Sequence, residues 1–166
     1  MTLRAVHVRG PFRGTSGYDH HVREFVRELL RQGVAVQLEN LPNWSGSRRP
    51  STSDDALFAS LGRRVDAKVS LQFCMPEHVV FAAGKRIVNY TMFEATRIPA
   101  PWVQRAHEVD LTVLPTESSR IAWVDSGAAA ERLRLCPLGV DVTRFRPDAR
   151  PLRLQGLRGE PLSDYR

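Results

Sequence analysis

The chain has little cysteine, almost no lysine and no long apolar run. Its two cysteines, Cys74 and Cys136, show no paired Cys-x-x-Cys spacing. That excludes a disulfide scaffold and a legible zinc site, and leaves two buried thiols as the plain expectation. No apolar stretch approaches the ~20 residues of a membrane-spanning helix. The opening Met1-Thr2-Leu3-Arg4-Ala5-Val6-His7-Val8-Arg9 is too short and too charged for a signal peptide. The default location is therefore the cytoplasm, with peripheral attachment at the inner membrane face as the alternative. Repeats and low-complexity tracts are absent. So are an Asp-x-Asp triplet, a phosphate-binding Gly-x-x-x-x-Gly-Lys-Ser/Thr loop and a legible Ser-His-Asp set. No metal site is expected.

What is present is a folded domain's composition. The 166 residues are 42% hydrophobic and include three tryptophans. That suits one globular domain with a sizeable core. The formal net charge is +6, from 24 basic and 18 acidic residues. Only Lys68 and Lys85 are lysines, so the charge is nearly all arginine. Basic residues are mostly interleaved with acids, which reads as a solvated surface. The tail differs: Arg144, Arg146, Arg150, Arg153, Arg158 and Arg166 face only Asp148, Glu160 and Asp164. An anionic membrane surface is a candidate partner for it, and nucleic acid a less favoured one.

The order of elements points to α/β. Leu3 to Arg9 predicts a strand that enters a loop at Gly10-Pro11. Val22, Phe25, Val26, Leu29 and Leu30 then form one apolar stripe of a helix. Asp19 is its expected N-cap and Gly33 its C′ glycine. Strands follow at Val34 to Leu38, Ala67 to Phe73, Arg86 to Tyr90, Leu111 to Leu114 and Leu133 to Cys136. A weak helix is expected over Ala56 to Arg64. Others begin at Pro101-Trp102, running to His107, and at Ser118, running to Asp125. Thr116 is the expected N-cap of the last and Gly127 its close. The expected fold is a Rossmann-like, doubly wound, mainly parallel sheet.

Ligands of such sheets sit at the carboxyl ends of the strands. That rule selects four loops: Gly10 to Asp19, Thr91 to Arg97, Pro115 to Ser119 and Pro137 to Asp141. The first can offer backbone N–H groups and a helix N-terminus to an anion, although Asp19 counts against a tightly held phosphate. The alternative is an ordinary βα turn. His20 and His21 are adjacent on a helix and point apart, so a shared metal is not expected. Glu94, beside hydroxyls and followed by Arg97, suits sugar hydroxyls or a catalytic base. The competing reading is a Glu94–Arg97 surface pair or a helix cap. Thr116, Glu117, Ser118 and Ser119 read first as a helix cap.

These stretches together resemble family 4 glycosyltransferases, two-domain retaining enzymes of the GT-B fold. Gly14 to Tyr18 with the amphipathic helix is similar to the family's glycine-containing first loop. Tyr90-Thr91-Met92-Phe93-Glu94-Ala95-Thr96-Arg97-Ile98-Pro99 with Trp102 resembles a segment of a bacterial branch. Asp110 to Pro115, then Thr116, Ser119, Ser126 and Gly127, resembles a "D-x-x-x-x-P-S…S-G" stretch, with Thr116 for the usual serine. Pro137, Gly139, Asp141, Phe145 and Pro147 resemble the run that leaves the first domain.

The resemblance implies sugar transfer from a nucleotide-sugar donor, with residues 1–147 as the acceptor-binding half. Residues 148–166 would then be a linker or the start of a donor-binding domain. The family's donor-domain motifs, an Arg/Lys pair and paired glutamates, are not found in this sequence. The expected partners are a sugar or glycolipid acceptor and a donor-binding domain or partner chain. No cofactor is expected, and a nucleotide-sugar only with that second domain. Glu94 is the catalytic candidate. Gly14, Ser16, Gly17 and Tyr18 are expected to line the cleft floor, with His21 and Thr91 beside it. Arg97 would contact acceptor or sugar. Thr116 and Ser119 would lie near the interdomain opening, and Gly139 and Asp141 at the hinge. A non-catalytic sugar- or glycolipid-binding module is the alternative, as is a basic peripheral module.

Overall fold

The computed structural model describes residues 4–44, 55–143 and 145–148. Leu3, most of the polar loop after Asn40 and the tail arginines other than Arg146 lie outside these residues.

Among the described residues six strands form one sheet: β1 (Ala5–Gly10), β2 (Ala35–Asn40), β3 (Val69–Phe73), β4 (Arg86–Tyr90), β5 (Leu111–Leu114) and β6 (Leu133–Leu135). Their spatial order is β2-β1-β3-β4-β5-β6, and every pairing is parallel. Helices α1 (Gly17–Arg31), α3 (Ala100–Glu108) and α4 (Glu117–Asp125) pack on it, and a short α2 (Asp55–Ser60) precedes β3. The fold is α/β and Rossmann-like, as the βα alternation implies. β1 has β2 on one side and β3 on the other, so the chain reverses direction across the sheet between β1 and β3.

Alternation along the strands sorts side chains to two faces. Val6, Val8, Val36, Leu38, Phe73 and Tyr90 form one buried cluster with Val22 and Val26 of α1. Gly10 permits this packing. A Cβ there would lie 2.9 Å from Phe73 Cβ and 3.0 Å from Val22 Cγ2. α1 starts earlier than expected, because Ser16 rather than Asp19 is the N-cap. Asp19 is the N3 partner of a capping box, returning its carboxylate to the Ser16 N–H. Gly33 (φ +75°) closes α1 as the C′ residue. α2 ends at Ser60, short of the expected Arg64.

The second face is polar under β1, β3 and β4: His7, Arg9, Ser70, Gln72 and Asn89 are all buried. The reason is the β3–β4 connection, which has no α-helix. A strap of irregular chain with one 3-10 turn (Pro76–His78) crosses instead. Its backbone cannot satisfy itself, so sheet side chains supply the partners. The Gln72 amide donates to Val80 O (2.6 Å) and accepts from Val80 N (3.0 Å). Arg9 donates to His78 O (2.8 Å), and Asn89 to Gln72 O and Cys74 O (3.1 and 3.0 Å). Further along this face α3 and α4 enclose an apolar cluster around Trp123, Leu114 and Leu133. Thr116 caps α4 as expected, and Gly127 (φ +100°) follows its C-cap.

Candidate functional site

The carboxyl ends of the strands carry the polar loops that sequence selects. The first loop is clamped from within. Asp19, 1% exposed, accepts from Gly14 N (2.6 Å), Ser16 N (3.2 Å) and Ser16 Oγ (2.5 Å). The buried Arg23 donates to the carbonyls of Phe12 (2.8 Å) and Gly14 (3.0 Å). An internal carboxylate thus fills the place that an anion would take at this helix N-terminus. The loop offers shape, not a vacant phosphate nest. Gly17 stands in open space, where a Cβ would meet nothing within 4 Å.

Tyr18 ties this loop to the end of β4. Its hydroxyl accepts from Met92 N (2.6 Å) and donates to Met92 O (3.2 Å). Burial, the largest cause, pushes the phenol up to about 12, and the nearby Glu94 charge also raises it. Tyr18 therefore stays neutral and acts as a latch. Thr91, fully buried, donates to Met75 Sδ at 3.8 Å and holds β5 through Val113 O. Tyr18 and Thr91 so converge on Met75 Sδ, at 4.0 and 3.8 Å, while Gly14 and Ser16 are held in the adjoining loop by Asp19.

The remaining candidates are more dispersed. Glu94 and Arg97 are exposed, and no ion pair joins them among the described residues. Thr116 Oγ1 accepts from Ser119 N (3.1 Å) and lies 3.0 Å from both the Ser118 and Ser119 hydroxyls. Gly139 is exposed in open space. Asp141 closes a local turn on Thr143, accepting from its N–H at 2.9 Å and its hydroxyl at 2.7 Å. Tyr90 fastens the exit from β6 to the rim by donating to Cys136 O (2.5 Å).

His21 packs among the rings of Phe25, Phe73 and Tyr90, 4.9 to 5.8 Å between centroids. Burial, then the neighbouring His20, drives it down to about 4, so it is a neutral ring at pH 7. Its Nε2 is buried without a hydrogen-bond partner among the described residues.

Sequence reading missed the Asp19–Arg23 clamp, although both residues lie on the predicted helix. It also missed a Ser–His–Glu chain. His7 Nδ1 lies 3.0 Å from Ser70 Oγ and His7 Nε2 lies 3.1 Å from Glu39 Oε2. The three are far apart in sequence, and only the β1–β2–β3 register assembles them. Ser70 is buried in mid-strand, where no substrate carbonyl reaches it, so the chain is structural. Cys74 is equally inert, since burial pushes its thiol up to about 12. No group of three or more His, Cys, Asp or Glu residues suited to a metal occurs among the described residues. None of their helices is long and apolar enough to cross a membrane.

Comparison with protein-family models, with curated proteins and with solved structures gave no match.

Proposed function

We propose that this chain is the acceptor-binding wall of a GT-B glycosyltransferase cleft, resembling family 4. One observation carries the reading. The loop portions of the four stretches that resemble the family, residues 14–18, 91–97, 116–119 and 137–141, all follow the carboxyl ends of β1, β4, β5 and β6, whereas Asp110, Ser126 and Gly127 of the third stretch lie at the opposite end. Ligands of parallel α/β sheets bind at that rim. The chemistry there suits a neutral polyol. Glu94 supplies an exposed carboxylate, Thr116 and Ser119 supply hydroxyls, and the first loop already holds its own anion.

Glu94 would accept hydrogen bonds from acceptor hydroxyls, or take the proton of the attacking one. Arg97 would flank the sugar. Charge on a leaving diphosphate needs fixed cations aimed at it, and the family's motifs for that task are not found in this sequence. Donor binding would therefore rest on a second α/β body, in the same or another chain.

The test has two arms. Saturation-transfer NMR with a panel of methyl and octyl pyranosides measures acceptor binding. It should detect a binder that Glu94→Ala weakens at least ten-fold. Incubation of residues 1–166 with UDP-glucose or GDP-mannose should give no release of nucleoside diphosphate. A panel without binders refutes the acceptor site, and robust turnover by these residues alone refutes the division of labour.

A further inference from the structure

The two rims of the sheet differ in charge. The residues just after the six strands are Pro11, Leu41, Cys74, Thr91, Pro115 and Cys136, none of them charged. The residues just before them are Arg4, Val34, Lys68, Lys85, Asp110 and Arg132. Both lysines of the chain stand on this amino edge, with Arg86 next to Lys85. Register keeps them together: Ala35 N bonds Arg4 O, and Arg86 N bonds Lys68 O. Arg4, Lys68 and Lys85 thus span about 10 Å across three adjacent strands.

Most of this charge is uncommitted. Arg4, Arg63, Arg64, Lys68 and Arg86 are exposed. Arg4, Arg63, Arg64, Lys85 and Arg86 make no ion pair among the described residues, and Lys68 meets only the exposed Asp66 at 3.4 Å. Three further acids stand at this edge: Asp110 accepts from Ile87 N at 2.8 Å, Glu108 pairs with Arg105 at 2.7 Å, and Glu131 is exposed beside Arg132, so the cations still outnumber the acids. Arg132 is set aside too, donating to His107 O and Val109 O. The strap that leads into Lys85 adds two adjacent apolar residues, Val80 (44% exposed) and Phe81 (50%), the latter with the Arg105 guanidinium 5.4 Å over its ring.

We propose that the amino edge of the sheet docks on an anionic phospholipid bilayer. Arg4, Lys68, Lys85 and Arg86 meet the phosphate plane, and Phe81 is the apolar anchor. Cations near such a surface and an inserted apolar side chain reinforce each other. A double-stranded nucleic acid would use the cations but leave the exposed Val80–Phe81 pair in water. The site proposed above lies at the other end of the strands, so docking leaves it facing away from the lipid. The inference does not rest on sugar transfer.

Co-sedimentation of the full chain with phosphatidylcholine vesicles, with and without 30% phosphatidylglycerol, tests this. Binding should need the anionic lipid and fall steeply between ~50 and ~500 mM salt. Arg4→Glu with Arg86→Glu should weaken it about 25-fold or more, at roughly five-fold per cation lost. Arg13→Glu with Arg97→Glu makes the same charge change at the other rim and should weaken it less than five-fold. Phe81→Ser keeps the charge and should weaken binding at least three-fold at ~150 mM salt. No binding to anionic vesicles overturns the proposal, as does equal loss in the two charge-reversed pairs. Tighter binding to a single-stranded RNA oligonucleotide than to the anionic vesicles overturns it in favour of nucleic acid.

Discussion

Replacing Asp19 by alanine should unfold the first loop from within. Three hydrogen bonds end on this buried carboxylate, two of them from backbone N–H groups of Gly14 and Ser16. Alanine leaves those donors without their acceptor and removes half of the α1 capping box. Hydrogen bonds to a charged group contribute about 1.5–3 kcal/mol each, and a lost cap costs about 1 kcal/mol. They share one side chain, so they do not add, and a loss of about 3–5 kcal/mol is expected. Urea unfolding would read this as a lower midpoint at unchanged slope. Thermal unfolding would shift down by roughly 10 °C. Glu28→Ala, on the exposed side of the same helix, should leave the urea midpoint nearly unchanged. If Asp19→Ala costs under 1 kcal/mol, the clamp does not organise the loop.

The remaining expectations concern other parts of the fold. His21 has a folded pKa of about 4, below its unfolded 6.5, so the unfolded chain binds the extra proton as pH falls. Stability should therefore decline from pH 6.5 to 4, by up to about 3 kcal/mol. His7, also shifted down mainly by burial, acts in the same direction. His21→Phe should flatten that decline, and an unchanged slope in urea titrations would assign it elsewhere. Gly10→Ala forces Phe73 and α1 apart and should cost about 1–3 kcal/mol, with no loss refuting the close approach. Gln72→Leu removes both bonds to Val80 and should cost about 2–4 kcal/mol. It should also speed hydrogen exchange at the Val80 amide by at least ten-fold, and an unaltered rate would show that the strap is held by other means.

Local rules read well where a residue's task is local. The stripe from Val22 to Leu30 announces α1, and Gly33 and Gly127 mark the helix ends because only glycine accepts their positive φ cheaply. Thr116 announces its cap because its hydroxyl accepts from the Ser119 N–H three residues on. The first N-cap was misassigned because Ser16 and Asp19 are both good caps, and periodicity alone does not separate the N-cap from N3. At the candidate site the polar loops were legible and their internal wiring was not. Nothing in the order of residues says that Asp19 turns inward to Gly14, or that the Tyr18 hydroxyl finds the Met92 backbone across 74 residues.

Hydrophobic period and turn chemistry by themselves determine that this chain mostly alternates strand and helix, and hence that its strands run parallel with the loops that leave them on one rim; the helix-free crossing from β3 to β4 is the exception. Those are properties of short windows, repeated along the chain. Tertiary structure alone decides what depends on register. It turns the second face of the sheet polar under the strap, joins buried Ser70 and His7 to the exposed Glu39 and aligns Lys68 with Arg4 and Lys85 on the amino edge. Each of these sets pairs residues from different strands, and parallel strands meet only after a crossover, so their neighbours are never neighbours in sequence.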